Sequence, residues 1–359
     1  MLKMYYFLGL IFVFKNMLTN KLNTMKNIFL LFISIVSFCS CSSSKSISKE
    51  KKDTDFTWNY LVGLDSIAKK YDNNRSTGSR GGVASKEYII KALKNDNVKV
   101  ETQSFVTMEG KNGTNIFAEI PGKSPKVIMI GSHYDSVVFG PGINDNGTGV
   151  AILLNLLHQI VVNNQQPDYT LRFAFWDAEE SGIEGSKYYV DQLNDNQINQ
   201  IKSYLNLDMV GTIQGEILLL DGDNSSTLEF LEKIKESELP EDELNAIIDS
   251  FTNSIPKQVT GSEQLEEDFT AYFTDNKINF KDDYILSLST DVYPFIGKVP
   301  TTGLAFTNES EVETDEGSYV LYAPCYHQSC DNLDNVDLNS LSIAKDAINF
   351  MVYKLAFNQ

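Results

Sequence analysis

The chain has 359 residues, 42% of them hydrophobic and 22% charged, with 30 Lys and Arg against 48 Asp and Glu. That composition excludes a disordered or collagen-like chain, and a net charge of −18 argues against nucleic acid as a partner, because phosphate contacts need a basic surface. Residues 1–40 hold four lysines and no acid, so the remainder is more acidic still, with 26 bases against 48 acids.

The chain starts with a leader. Met25-Lys26-Asn27 opens a short charged region, residues 28–38 are apolar, and Ser37-Phe38-Cys39-Ser40-Cys41 is followed by the polar run Ser42-Ser43-Ser44-Lys45. This resembles a bacterial lipoprotein signal. Cys41 is the expected lipid-bearing residue, since Ser40 before it is small whereas Phe38 before Cys39 is bulky. An uncleaved anchor helix is the alternative, and either Met1 or Met25 could start the protein. Both readings predict an exported body, anchored through lipid or helix to the membrane of a bacterial cell envelope. The expected organisation is a leader over 1–41, a polar tether over 42–55 and one body over 56–359.

Helical periodicity is predicted over 56–70 and 85–93, then strands over 98–106 and 114–120 around the turn Gly110-Lys111-Asn112-Gly113. Residues 126–130 (Lys-Val-Ile-Met-Ile) read as a strand buried on both faces, leading through a Gly- and Asn-rich loop into an apolar helix over 150–162. Further strands are predicted at 171–176, 204–207, 216–220 and 302–306, with a helix after the first of these through about 191 and a last helix over 340–355. Buried strands alternating with helices predict an α/β fold in three layers, α/β/α, around a mostly parallel mixed sheet. The acidic stretch from about 221 to 283, helical at 226–237 and 241–251, is expected as an insertion or lid on this domain.

The chemistry concentrates where strands end. His133 and Asp135 lie two apart on extended chain, so they share a side, and a carboxylate on the far ring nitrogen would orient a metal-binding histidine. Asp145 sits in the loop Gly142 to Gly149, where a helix cap or turn role is the plain alternative. Glu179 and Glu180 follow the strand at 171–176; one could bind metal while the other takes a proton, or both could be a solvated pair at a helix start. Asp208 ends the strand at 204–207. His327 lies between Cys325 and Cys330, a close pair expected to form a disulfide outside the cytoplasm; a structural zinc on Cys325, His327 and Cys330 competes with that pairing. His158, on a predicted apolar helix, is expected to carry no chemistry. Two histidines and three carboxylates at strand ends suit a pair of zinc ions.

In order and together, these stretches resemble the M28 family of zinc aminopeptidases: Gly131-Ser132-His133-Tyr134-Asp135-Ser136, the Gly142–Gly149 loop, Asp177-Ala178-Glu179-Glu180 with Gly185-Ser186, Asn206-Leu207-Asp208-Met209-Val210-Gly211, and Tyr326-His327-Gln328-Ser329-Cys330-Asp331. Gly78-Ser79-Arg80 looks like the family's N-terminal signature, and Thr290-Asp291 with Pro294-Phe295 is similar to its substrate-pocket segment. The resemblance implies the zinc-peptidase (phosphorylase/hydrolase-like) fold and two Zn2+. It assigns His133 and Asp208 to one zinc, Glu180 and His327 to the other, and Asp145 to both. Glu179 would be the general base, Asp135 the partner of His133, and Tyr326 a donor to the oxyanion.

The activity implied by the resemblance is hydrolysis of the N-terminal peptide bond by a metal-bridging hydroxide, with Glu179 moving the proton. Peptides with a free N-terminus are the expected substrates, and no specific protein partner is implied. Three alternatives remain: a single-zinc glutaminyl cyclase on the same fold, an M20-type peptidase, and a non-catalytic peptidase-like ectodomain that only binds. The complete ligand set favours hydrolysis, and the stretch 221–283 is short for the second domain of an M20 enzyme.

Overall fold

The apolar run Val127-Ile128-Met129-Ile130 forms the interior of strand β3 (Ser124–His133) and sends alternate side chains to opposite faces. Ile128 and Ile130 enter one hydrophobic core, Val127 and Met129 the other. The sheet built around β3 has the spatial order β1 (Lys99–Val106), β2 (Asn112–Ile120), β4 (Tyr169–Trp176), β3, β5 (Ile201–Asp208), β8 (Thr301–Thr307), β6 (Glu216–Leu220), β7 (Lys281–Asp283). The four central strands β4, β3, β5 and β8 run parallel; β1 and β2 join antiparallel at one side and β6 antiparallel to β8 at the other. This computed structural model describes residues 56–357 apart from 95–97, 237–239, 242–243, 247, 250–258, 284–285 and 315–316. The leader, Cys41 and the tether lie outside the described residues. Among the described residues, no helix is long and apolar enough to cross a membrane.

One face of the sheet is covered by α1 (Phe56–Lys70), α2 (Arg80–Leu93), α3 (Thr148–Val162), α7 (Ser262–Asp275) and α8 (Leu338–Ala356). Helix α3 is buried at every position from Thr148 to Leu157, as a helix apolar all round must be. The other face is covered by α4 (Glu184–Asp191) and the turns around Leu286–Ile296, where Trp176, Tyr189, Tyr204 and Phe295 pack ring against ring. Covered on both faces, the sheet is the middle of three layers, as the alternation of buried strands and helices predicts.

The structure departs from the sequence reading in particular places. Helix α2 begins at Arg80, not at 85, with the Ser79 hydroxyl accepting from Gly82 N; Gly81-Gly82 has low helix propensity and hid this start. Residues 194–200 add a short helix, α5 (Asp195–Gln200), closed by a capping box between Asn194 and Gln197. A hairpin, β9 (Ser310–Thr314) and β10 (Gly317–Leu321), stands apart from the main sheet. The stretch 221–283 supplies α6 (Ser225–Lys235) and contributes to the layers themselves. Its helix α7 buries Leu265, Phe269 and Phe273 in the main core, and its last residues form the edge strand β7. The helix expected over 241–251 lies partly outside the described residues.

Candidate metal centre

Strand order fixes where the site lies. From β3 the chain goes to β4 on one side and then to β5 on the other, so a crevice opens at the carboxyl ends of these three strands. In register, His133 pairs with Trp176 and Gly131 with Asn206, which brings His133 level with the turn after β4 and with Asp208. Asp145 reaches the crevice from the turn Ile143–Gly147 that feeds α3. Two glycines of that loop are dictated by space: Gly142 has φ +61°, and a Cβ on Gly149 would lie 2.2 Å from Ser132 Oγ. His327 enters from a loop of turns closed by the Cys325–Cys330 disulfide, whose Cα atoms are 5.4 Å apart.

The five expected ligands form two triads that share one carboxylate. Asp145 Oδ1 lies 3.3 Å from His133 Nε2, and its Oδ2 lies 3.4 Å from His327 Nε2. Asp208 Oδ1 completes the first group at 3.5 Å from His133 Nε2, and Glu180 Oε2 the second at 3.0 Å from His327 Nε2. Glu179 approaches the first group, its Oε2 3.8 Å from His133 Nε2. On the far side of that ring Asp135 Oδ1 is 3.5 Å from Nδ1. Tyr326 stacks on His327 with centroids 3.8 Å apart.

Residues 115–352 match the family described as Peptidase family M28. The chain is 30% identical over 82% of its length to leupeptin-inactivating enzyme 1 of Streptomyces exfoliatus, covering 60% of that protein. The chain belongs to peptidase family M28. It is also 30% identical over 68% of its length to an aminopeptidase of Pseudomonas aeruginosa, covering 41% of it. A probable lipoprotein aminopeptidase of Mycobacterium tuberculosis matches at 31% over 67% of the chain and 44% of that protein. The M28 chain thus spans between 41% and 60% of these curated relatives. Among solved structures, an aminopeptidase from Aneurinibacillus aligns over 86% of this chain and 95% of its own with TM-score 0.61 and 15% identity. A glutaminyl cyclase of Bacteroides thetaiotaomicron aligns over 83% and 97% with TM-score 0.58 and 17% identity. These two likenesses establish the fold alone.

A second ring of buried groups holds the M28 triads in place. Asp135 accepts from Glu179 N (3.1 Å) and from Thr77 Oγ1 (3.2 Å), which ties the loop after β3 to the turn after β4. Asp177 accepts from Thr77 Oγ1, Tyr134 OH and Thr114 N, each at 2.8 Å, and so anchors that turn. Asp331 accepts from Asn144 N and Asp145 N, fixing the backbone that carries the shared ligand. Ala178, Met209 and His327 adopt left-handed φ of 61°, 49° and 57°. Such backbone is uncommon for residues other than glycine and gathers at functional sites; here it sits beside or at three site residues, Glu179, Asp208 and His327.

The fully buried Arg75 is the residue that sequence reasoning missed. Its Nε donates to Pro141 O at 2.8 Å, and its two terminal nitrogens donate to the carbonyls of Tyr134 and Gly142. Arg80, singled out in the sequence, is instead exposed and pairs with Asp72 at 2.9 Å. The only sequence signal for Arg75 was its place three residues before Gly78-Ser79. His158 rests against the Phe56 ring, away from the site. The cysteines pair with each other, and His327 faces Asp145 and Glu180, so the structural zinc reading falls.

So many buried acids repel one another, and their protonation reflects it. Burial pushes Glu180 up to about 7, with Asp145 adding to the effect, and pushes Glu179 well above its ordinary value despite His133. Asp291, buried and hydrogen-bonded by Ser186 Oγ, rises to about 7 for the same first reason. In contrast, the imidazoles of His133 and His327 beside Asp145 outweigh its burial and hold its carboxyl well below the usual range. His133 Nε2, Asp208 Oδ1 and Glu180 Oε1 are buried without a hydrogen-bond partner. Buried polar atoms are ordinarily satisfied. A mixed imidazole and carboxylate set with orphaned atoms and excess negative charge fits divalent cations that accept nitrogen and oxygen, zinc foremost.

Proposed function

We propose that this M28 chain is a dinuclear zinc aminopeptidase, in which His133, Asp145 and Asp208 hold one ion and Asp145, Glu180 and His327 the other. The observation that carries the proposal is the division of Asp145, one oxygen toward each histidine, 3.3 and 3.4 Å away. A pair of zinc ions supplies a Lewis acid for the scissile carbonyl and acidifies water. Everything else falls to the chain. Glu179, whose burial raises its proton affinity, accepts a proton from the attacking water and returns it to the leaving amine. Asp135 fixes the tautomer and tilt of His133 through Nδ1 while gripping Glu179 N, so the ligand and the base are held by one carboxylate. Tyr326, stacked on His327, would donate to a developing oxyanion.

The unpaired acidity of the crevice favours a substrate with a free α-ammonium, which makes the enzyme an exopeptidase. Metal analysis with release of p-nitroaniline from aminoacyl substrates tests the reading. Two zinc per chain, and a Glu179→Gln variant that keeps its metal but loses at least about a thousandfold in kcat, is the expected result. One zinc, no hydrolysis and turnover of an N-terminal glutamine peptide would replace it with the cyclase reading, whose fold is the same.

The address of the protein is part of the proposal. The leader and Cys41 make it an exported, membrane-anchored lipoprotein with one peptidase body, and a relative named as a probable lipoprotein aminopeptidase supports this. Cys41→Ser should abolish incorporation of labelled palmitate and release the protein from membranes.

A further inference from the structure

Three acids gather at the opposite end of the sheet. Strand β6 runs antiparallel to β8, so Asp221, just past Leu220, lies near the start of β8 and far from the crevice. Asp221, Asp223 and Glu266 each offer an oxygen within 4.8 Å of the other two. Glu266 comes from helix α7, and its Oε1 accepts from Gly222 N (2.7 Å) and Asp223 N (3.1 Å), which fixes it over the turn. Asp221 is 1% exposed. Its Oδ2 accepts from Thr227 N and Oγ1 at 2.8 and 2.6 Å, whereas its Oδ1 is buried with no hydrogen-bond partner.

We propose that Asp221, Asp223 and Glu266 form a binding site for a hard divalent cation of the calcium class, separate from the zinc centre. All three donors are oxygens, with no imidazole or thiolate, which selects calcium or magnesium over zinc. Carboxylates projecting from a turn and a helix, already committed to backbone donors, suit the irregular shell of calcium better than the strict octahedron of magnesium. Among the described residues, the charges that act most on Asp221 and Glu266 are those of other acids. Bound there, the cation joins the turn after β6 to helix α7 and clamps the acidic stretch 221–283 to the sheet.

The test uses zinc-loaded protein, so that the catalytic ligands are already occupied when calcium is added. Calcium chloride at about a hundredfold excess over Kd should raise Tm by roughly 4 °C or more, and magnesium should raise it less. Glu266→Gln keeps an oxygen for Gly222 N and Asp223 N, so it should fold with an unchanged Tm in calcium-free buffer and lose the calcium response. Asp223→Asn should behave alike. Peptidase activity in calcium-free buffer should be the same in all three proteins. No calcium shift in the wild type, or an equal shift in wild type and Glu266→Gln, overturns the assignment. A larger shift with magnesium than with calcium overturns the choice of ion.

Discussion

Arg75→Met should destabilise the protein by about 4 kcal/mol. The guanidinium donates to three buried carbonyls, those of Tyr134, Pro141 and Gly142, and each bond from a charged donor contributes roughly 1.5–3 kcal/mol. The gross figure of about 4.5–9 kcal/mol is reduced because burying the guanidinium is itself costly, which is also what lowers the proton affinity of Arg75. A net loss near 4 kcal/mol is a large part of the roughly 5–15 kcal/mol that holds a domain together. It should lower Tm by about 10 °C in a differential scan of the metal-loaded protein. Arg75→Lys keeps the charge but cannot span three carbonyls from one flexible point, so its Tm should fall between the two. Because the braced carbonyls flank Asp135 and lead into Asp145, metal content should fall in both variants well below the melting range. Tm values within about 2 °C of wild type for both substitutions would refute the view that this arginine supports the site.

Asp145→Asn, one substitution, should lower zinc from two per chain to below one, whereas Glu180→Gln should leave one; plasma emission analysis decides, and equal losses would contradict a shared ligand. Cys330→Ser opens the loop around His327 and should cost about 2 kcal/mol, with loss of the ion held by His327, Glu180 and Asp145 before the other. Metal-free protein should melt at a higher temperature at pH 5 than at pH 8. Burial raises Asp177 to about 6 and Asp291 and Asp331 to about 7, from 3.8. Between about pH 4 and 7 the folded state therefore keeps protons that the unfolded chain has released, and stability falls as pH rises through that window. The burial of His327 is outweighed by its hydrogen bonds to Asp145 and Glu180, which lift it to about 10 and extend the fall above pH 7. An equal or higher Tm at pH 8 would contradict this.

The parallel strands and their ends were legible in the sequence because burial on both faces leaves a continuous apolar run, as in residues 127–130, bounded by the polar residue that reaches the crevice. Four of the five ligands could be read for the same reason, since each ends or follows such a run or lies in a glycine-rich turn; His327 was marked instead by the cysteines on either side of it. Arg75 could not. It sits in Asn73-Asn74-Arg75-Ser76-Thr77, which reads as a solvated loop, and the carbonyls it serves are 59 to 67 residues away. Asp177 was visible only as part of an acidic string; that it braces the turn while Glu179 faces the histidine depends on Thr77, Thr114 and Tyr134. Helix α7 was hidden because Glu263, Glu266 and Glu267 mask the buried stripe of Leu265, Phe269 and Phe273. Pattern identifies what a segment buries, but not which distant polar group its carbonyls or carboxylates will meet.

The hydrogen bonds from Asn144 N and Asp145 N to Asp331 span 187 and 186 residues of chain. Asp331 directly follows the disulfide-closed loop that carries His327, so the shared carboxylate is seated and the second triad completed by the same late segment. A ribosome must therefore release residue 331 before the site can assemble, and every shorter nascent chain lacks the anchor of the shared carboxylate. On the proposed reading, a peptidase made in the company of other unfolded chains would thereby be inert until its own folding is finished. The dependence is built into the topology of the chain.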